Sequence, residues 1–242
     1  MAIPSRQIGW STKANLLWQI SKQLQYLTCV TAGGCGPTTT TTSTIVPSTT
    51  TTTTICTNCI SADVTIGTQI WSLCNLDVTT FRNGDPIPEI TDQNVWGTTY
   101  TPAWCYWNND SAYGPTYGKL YNWYAVNDPR GLAPVGYHVP SSAEVEILRS
   151  FVGGTYGGGH LKEAGTCHWN ESIGVDNSTG WTGLPGGGRN SITGFIYLIG
   201  DNGEWWTSSD DFNFGALSYY LNTGGPQIYA PGYSNRTQGY SV

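Results

Sequence analysis

Residues 38–54 read TTTTTSTIVPSTTTTTT, in which twelve of the seventeen are threonine and none is charged. Threonine is branched at Cβ and stiff about χ1, which disfavours helix. Ile45, Val46 and Ile55 are too few to give such a tract an apolar stripe. Alone, it is expected to be extended and mobile. The tract therefore cuts the 242-residue chain in two, and only the long part after it can bury a sizeable core. Three parts are expected: a helical anchor or oligomerisation segment over 1–30, a threonine-rich linker or stalk over 31–60, and a domain over 61–242. An O-glycosylated stalk is another reading of the tract.

The first part has one physical signal. Ser11 or Thr12 can cap a helix. Leu17, Ile20, Leu24 and Leu27 then recur at the 3-4-3 spacing of a coiled-coil seam, with Trp10 one heptad earlier. Two heptads are marginal as an isolated helix, so the stripe has to pack on something. Copies of itself and a larger partner are the favoured surfaces. The chain's own domain is the alternative.

Composition narrows the class. Charged residues make up only 11% of the chain, while glycine (31), tyrosine (15) and tryptophan (11) are abundant. That suits a loop-rich, β-containing domain with an aromatic core. A net charge of −6 provides no footprint for nucleic acid or an anionic membrane. No run of 18 apolar residues exists, so no membrane span is expected. The opening residues carry no basic segment followed by an apolar one, so no secretory signal is read there. The seven cysteines are an odd number for an intrachain framework, and most are expected to be reduced.

Within 61–242, VTIGTQIWSLCNLDV alternates as paired strands do. SSAEVEILRSFV (141–152) is the clear helix, with Ser141 or Ser142 as cap and Val145, Leu148 and Val152 on one face. LYNWYAV (120–126) reads as a second, shorter helix. GFIYLIG (194–200), EWWTSS (204–209), ALSYYLN (216–222) and GYSV (239–242) read as short strands. The expected class is α+β with few helices and long loops.

The blocks IGTQIW (66–71), TTFRNGDPIPEI (79–90), PAWCYWNND (102–110), YGKLYNWYAVNDPRGLAPVGYHVPSSAEVEIL (117–148), GLPGGGRN (183–190) and EWWTSS (204–209) occur in this order. Together they resemble the Fibrobacter succinogenes major paralogous domain, over most of residues 62–242. The resemblance implies a C-type-lectin-like fold, a scaffold shared with phage receptor-binding proteins and formylglycine-generating enzymes. MAIPSRQIGWSTKANLLWQISKQLQYL also resembles the short leader of virion structural proteins in tailed phages. Many family members continue past the final aromatic-Ser-Val. This sequence stops at Val242, which leaves the pairing of the last strand open.

Few motifs carry chemistry. Cys56 and Cys59 form a C-x-x-C, and with Cys29 and Cys35 they could bind zinc, form disulfides or remain thiols. Cys105 and Cys167 could pair, or pack as small apolar groups. Trp107-Asn108-Asn109-Asp110 is similar to the calcium edge of sugar-binding lectins. With Asp201 or Asp210 it offers too few oxygens for calcium, and a hydrogen-bonded turn is favoured. His138, before the helix, reads as structural, and His160 and His168 are the only other histidines. There is no G-x-S-x-G elbow, Glu144 and Glu146 point to different helical faces, and Gly186–Gly188 precede no helix. Neither catalytic residue, metal nor cofactor is expected.

Trp71, Tyr121, Trp123, Trp181 and Trp205 sit in the family-like blocks and are expected in the core. Phe212, Phe214, Tyr229 and Tyr233 lie late in the chain among Asp210, Asn213, Gln227, Asn235 and Arg236. Tyrosine among small polar residues is how adaptable binding surfaces are built, so these nine are the expected ligand surface. The functional expectation is a non-enzymatic phage virion protein, made in the host cytoplasm and trimeric. Its first segment would dock on a capsid or tail protein, and its domain would bind a host-surface glycan or protein. The alternative is a bacterial cell-surface carbohydrate-binding or adhesion module. A formylglycine-type enzyme is disfavoured because no cysteine follows Cys167.

Overall fold

Asp63–Ile66 (β1) and Gln69–Ser72 (β2) pair antiparallel, with Asp63 opposite Ser72 and Ile66 opposite Gln69. Gly67 takes the positive φ (+61°) that the tight turn between them needs. The computed structural model describes residues 62–211 and 213–242. The expectations for 1–30 and 31–60, including Trp10, Leu17, Ile20, Leu24 and Leu27, lie outside the described residues, as does Phe212.

Behind the hairpin the chain is mixed, with few helices and several small antiparallel sheets. Gln93–Gly97 (α1) starts at Asp92, whose carboxylate accepts from the Asn94 and Val95 amides. Trp104–Cys105 (β3) pairs with Leu120–Tyr121 (β4). Gly114–Tyr117 (α2) lies between them. LYNWYAV divides at Asn122 into β4 and Trp123–Val126 (α3), rather than forming one helix. The cause is the Asn122 side chain, whose Oδ1 accepts from Ala125 N (3.1 Å) and Ala103 N (3.0 Å), capping a helix while closing a strand pair.

Ser142–Phe151 (α4) forms as expected from a full capping box between Ser141 and Glu144. Gly188–Arg189 (β5) pairs with Ile196–Tyr197 (β6). Asn202–Asp211 (β7), Gly215–Asn222 (β8) and Ile228–Ser234 (β9) form a three-stranded antiparallel meander. The register of β7 against β8 jumps between Trp206 and Asp210. That bulge brings the Ser209 hydroxyl to the Ser142 amide (2.9 Å), joining α4 to the sheet.

The last residues stitch these sheets together. Gly239 bridges Arg189 on β5, Tyr240 bridges Tyr121 on β4, and Ser241 bridges Trp205 on β7. Val242 O then accepts from Leu76 N at 2.7 Å. The expected strand over 239–242 is thus a run of single bridges to three different strands, hydrogen-bonded as far as Val242.

Among the described residues three apolar clusters form the core. One gathers Phe81, Trp104, Tyr121, Trp123, Trp206 and Tyr240 among others. A second centres on Leu148, Trp169, Tyr219 and Leu221. The third joins Trp96, Ala103, Cys105 and Leu120. Buried cations sit among them. Arg189 is fully buried, stacked over Trp96 at 4.4 Å, and gives its guanidinium to the carbonyls of Ile90, Thr91 and Gly194. Lys162 lies over Trp169 and donates to Asn222 O (2.7 Å) and Gly225 O (3.1 Å).

The cysteine expectations change. Cys74 and Cys167 are disulfide-bonded. Cys105 is free, fully buried, and has its thiol pushed up to about 11 by desolvation. It packs as a small apolar group and does not pair with Cys167, and at least these two domain cysteines are oxidised rather than reduced.

Candidate functional site: an aromatic rim and a tryptophan cleft

The eight late residues that are described do not form one surface. They divide between the two ends of the β7–β8–β9 meander. At the β7–β8 turn end stand Asp210, Asn213, Phe214, Tyr233, Asn235 and Arg236. Gln227 and Tyr229 sit at the opposite end, beside the β8–β9 turn. Tyr229 stacks on Tyr220 (4.3 Å, 3°) and accepts from Asn222 Nδ2 at 3.0 Å. A strand of eight residues spans about 25 Å, so the two groups cannot grip one small ligand.

The turn-end group is coherent. Arg236 clamps Asp210, with Nη2 at 2.7 and 2.9 Å from the two carboxylate oxygens and Nε at 3.1 Å. Nη2 also donates to Asp211 O (3.1 Å), while Nη1 makes no hydrogen bond among the described residues. At the same end of the meander, Phe214 (67% exposed) and Tyr233 (55%) set their rings 5.3 Å apart. Asn213 gives only its amide to Asp211 (2.9 Å), so its side chain is exposed and unspent. Asn235 differs, because its Oδ1 accepts from the Thr237 amide and hydroxyl, both at 3.0 Å. It shapes the turn.

Two residues missed by the sequence reading extend this rim. Tyr124, on α3, has its phenol raised by burial, opposed by Arg236 and reinforced by Tyr100 and Asp210. Tyr100, 66% exposed, meets it edge-on at 6.2 Å. Their signal was weak because Tyr124 lies inside a block that reads as buried helix.

The second feature is a cleft of about 900 Å³, in the range of small-molecule sites. Trp71, Trp181 and Trp205 wall it. These three are half-buried, not fully in the core as expected, since one side of each packs on the second cluster and the other lines the cleft. Tyr121 and Trp123 are buried as expected. The Trp71 and Trp181 rings stand 6.4 Å apart at 74°, and Trp181 and Trp205 5.2 Å apart at 52°.

The histidines each meet a carboxylate. His138 Nε2 lies 2.8 Å from Glu144 Oε1, and His168 Nδ1 lies 2.8 Å from Glu163. Burial alone would raise the Glu144 carboxyl, but the Ser141 amide and hydroxyl and His138 outweigh it and hold the carboxyl low. His138 thus extends the cap of α4, in keeping with a structural role. His160, Asp176 and Ser178 superficially suggest a triad. However, Asp176 (2.9 Å) and the Ser178 hydroxyl (2.9 Å) both meet the same nitrogen, Nδ1, so the serine has no separate base.

At the calcium-like edge, Asn108 and Asn109 adopt left-handed backbone (φ 55° and 54°). Asn109 donates to Thr91 O, and Asp110 accepts from Ala112 N. That is the hydrogen-bonded turn. Among the described residues no group of three His, Cys, Asp or Glu is placed to hold a metal ion, and no helix is long and apolar enough to cross a membrane.

No curated protein and no solved structure matches the chain. The family model of the Fibrobacter succinogenes major domain matches residues 64–242, and the chain belongs to that family.

Proposed function

We propose that this chain is a non-enzymatic structural protein of a phage particle that displays a C-type-lectin-like domain for attachment to the host surface. The observation that carries the attachment reading is the turn-end rim. There the exposed Phe214–Tyr233 ring pair shares one end of the meander with Arg236, which Asp210 holds and whose Nη1 makes no hydrogen bond among the described residues. Rigid aromatic rings present area at small entropic cost, and a fixed guanidinium adds directed hydrogen bonds. Sugars and protein loops both offer complementary C–H faces and oxygens. The leader-like segment and the threonine tract support the particle reading: a docking stripe, a spacer, then a display domain. Self-association into a trimer multiplies weak sites into avidity.

Three measurements test this. Light scattering on the full chain at micromolar concentration is expected to return an oligomer, and a monomer overturns the trimer. Electron microscopy of the particle is expected to place the domain outermost on head or tail. Cell-surface or glycan-array binding is expected to fall at least about tenfold in Tyr233→Ala, the loss of one contact residue of central importance. Unchanged binding overturns the rim as the site.

A second reading, a bacterial cell-surface carbohydrate-binding module, is favoured by one observation. Cys74 and Cys167 are disulfide-bonded, which suits an oxidising exterior. Neighbouring genes for polysaccharide-degrading enzymes, rather than capsid and tail proteins, would decide for it.

A further inference from the structure

Cys74 and Cys167 are both disulfide-bonded, yet no disulfide joins two of the described residues. Each therefore has its partner outside them. Of the seven cysteines, Cys105 is the buried free thiol, which leaves Cys29, Cys35, Cys56 and Cys59. Chain reach decides among these.

The two bonded cysteines share one neighbourhood, which Tyr117 connects. The Tyr117 carbonyl accepts from Asn75 Nδ2 (3.0 Å), next to Cys74, and the Tyr117 ring meets that of His168, next to Cys167, at 5.7 Å. Both cysteines are half-buried, so a partner can meet them from the surface. The described chain begins in the same place. Ala62 O accepts from Leu73 N at 2.9 Å, and Ala62 and Cys74 line the same cleft. Cys59 precedes Ala62 by three residues, about 10 Å of extended chain, and Cys56 by six, about 20 Å. A disulfide needs Cα atoms roughly 4.4–6.8 Å apart, and two cysteines three residues apart can each satisfy that at thiols grouped around Tyr117. Cys29 and Cys35 stand on the far side of the threonine tract. The compact unit that holds the domain begins at Cys56.

We propose that Cys56-Thr57-Asn58-Cys59 is a double covalent clasp, with Cys59 bonded to Cys74 and Cys56 to Cys167. Cys59 takes Cys74 because it is the nearer of the two along the hairpin. Each bond forms by exchange with a small disulfide: two thiols of the chain lose two protons and two electrons, and the small disulfide is reduced to two thiols. The clasp has a mechanical consequence. The threonine tract enters the domain through β1, and among the described residues β1 pairs only with β2, over four residue pairs. A two-stranded hairpin is marginal by itself. With both bonds made, a pull along the tract passes into the segments that carry Cys74 and Cys167 before it reaches the hairpin. A displayed domain is held in this way under either functional reading, and the clasp does not depend on the aromatic rim.

The test is disulfide mapping of the full chain. The protein is equilibrated with glutathione disulfide, unfolded in the presence of an alkylating reagent and digested, and the peptides are read by mass spectrometry. Cys59 is expected to be linked to Cys74, Cys56 to Cys167, and Cys105 to be alkylated. In Cys59→Ser, Cys74 is expected to turn from chain-linked to alkylated or glutathione-bearing while Cys167 stays linked. Cys56→Ser is expected to do the same to Cys167 and spare Cys74. The exchanged pairing, Cys56 with Cys74 and Cys59 with Cys167, supports the clasp with its two bonds reversed. A Cys56–Cys59 bond overturns it, as does a bond from Cys74 or Cys167 to Cys29, to Cys35 or to each other. Unlinked thiols at 56 and 59, with or without bound zinc, overturn it too. The mapping of the native chain decides this even if a variant fails to fold.

Discussion

Tyr240 and Tyr121 exchange both of their backbone hydrogen bonds, at 2.9 and 3.0 Å, across about 120 residues of chain. Their rings belong to the same cluster, and Tyr240 packs 4.6 Å from Trp206. The fold is therefore locked from its last four residues, which join β4, β5 and β7.

Tyr240→Ala removes a ring that is 5% exposed at this junction. A loss of about 3–5 kcal/mol is expected, from transfer and cavity terms together. Urea unfolding followed by tryptophan fluorescence measures it. A loss below about 1 kcal/mol would mean that the junction is not what holds the sheets.

Gly187 combines a positive φ (+64°) with a site where a Cβ would lie 2.2 Å from Tyr197 O. Backbone, not a flexible side chain, blocks it. Gly187→Ala is expected to cost more than 2 kcal/mol, beyond the roughly 1 kcal/mol of left-handed strain alone. Gly232→Ala, with nothing within 4 Å and no positive φ, is the tolerated control. Thermal unfolding of both variants separates the two cases.

Glu204 is a buried carboxyl, 8% exposed, held by neutral partners: Asn202 Nδ2 at 2.9 Å, the Tyr197 hydroxyl at 3.4 Å and the Tyr240 side chain. Burial raises its pKa above the ordinary range. A raised folded-state pKa means that the native state holds the proton more tightly. Its stabilising effect is complete below the unfolded value and is lost as pH rises through the folded one. Glu204→Gln keeps the shape without the charge. It is expected to exceed the native chain at pH 8 by on the order of 1 kcal/mol, or about 2–4 °C in Tm, and to lose that advantage at pH 4. Differential scanning calorimetry at the two pH values checks this.

Lys162 behaves in the opposite sense. Burial lowers its pKa to about 8, and two carbonyls rather than a carboxylate receive its ammonium. Between about pH 8 and the ordinary lysine range near 10.4, the unfolded chain binds more protons than the native one, so this group makes stability rise with pH. Lys162→Met is expected to be less stable at pH 7, because the Asn222 and Gly225 carbonyls lose their donor, and to lack that rise. Urea midpoints of both proteins at pH 7.5 and 10 provide the comparison. Parallel changes would place the titration elsewhere.

What could be read from the residues was local. Ser141 and Glu144 announce α4 because a capping box is satisfied within four residues. The hairpin around Gly67 follows from alternation and a turn glycine. The α+β class followed from the pattern of short strands and few helices, and the family from the order of the blocks. The split of LYNWYAV was hidden because Asn122 reaches a partner, Ala103, from another segment. The oxidised state of Cys74 and Cys167 was hidden for a similar reason: parity of the count says nothing about which thiols meet in space.

The site shows the same division. The sequence by itself marked a late cluster rich in tyrosine and small polar residues, and by composition alone it could not separate Gln227 and Tyr229 from Phe214 and Tyr233. The meander decided that, because antiparallel pairing sends neighbours in sequence to opposite ends of a sheet. Nor could composition say that Trp71, Trp181 and Trp205 turn one side to a cleft while Tyr121 and Trp123 stay buried. An indole is equally apolar in either place, and only the packing of distant strands fixes which of its faces the protein covers.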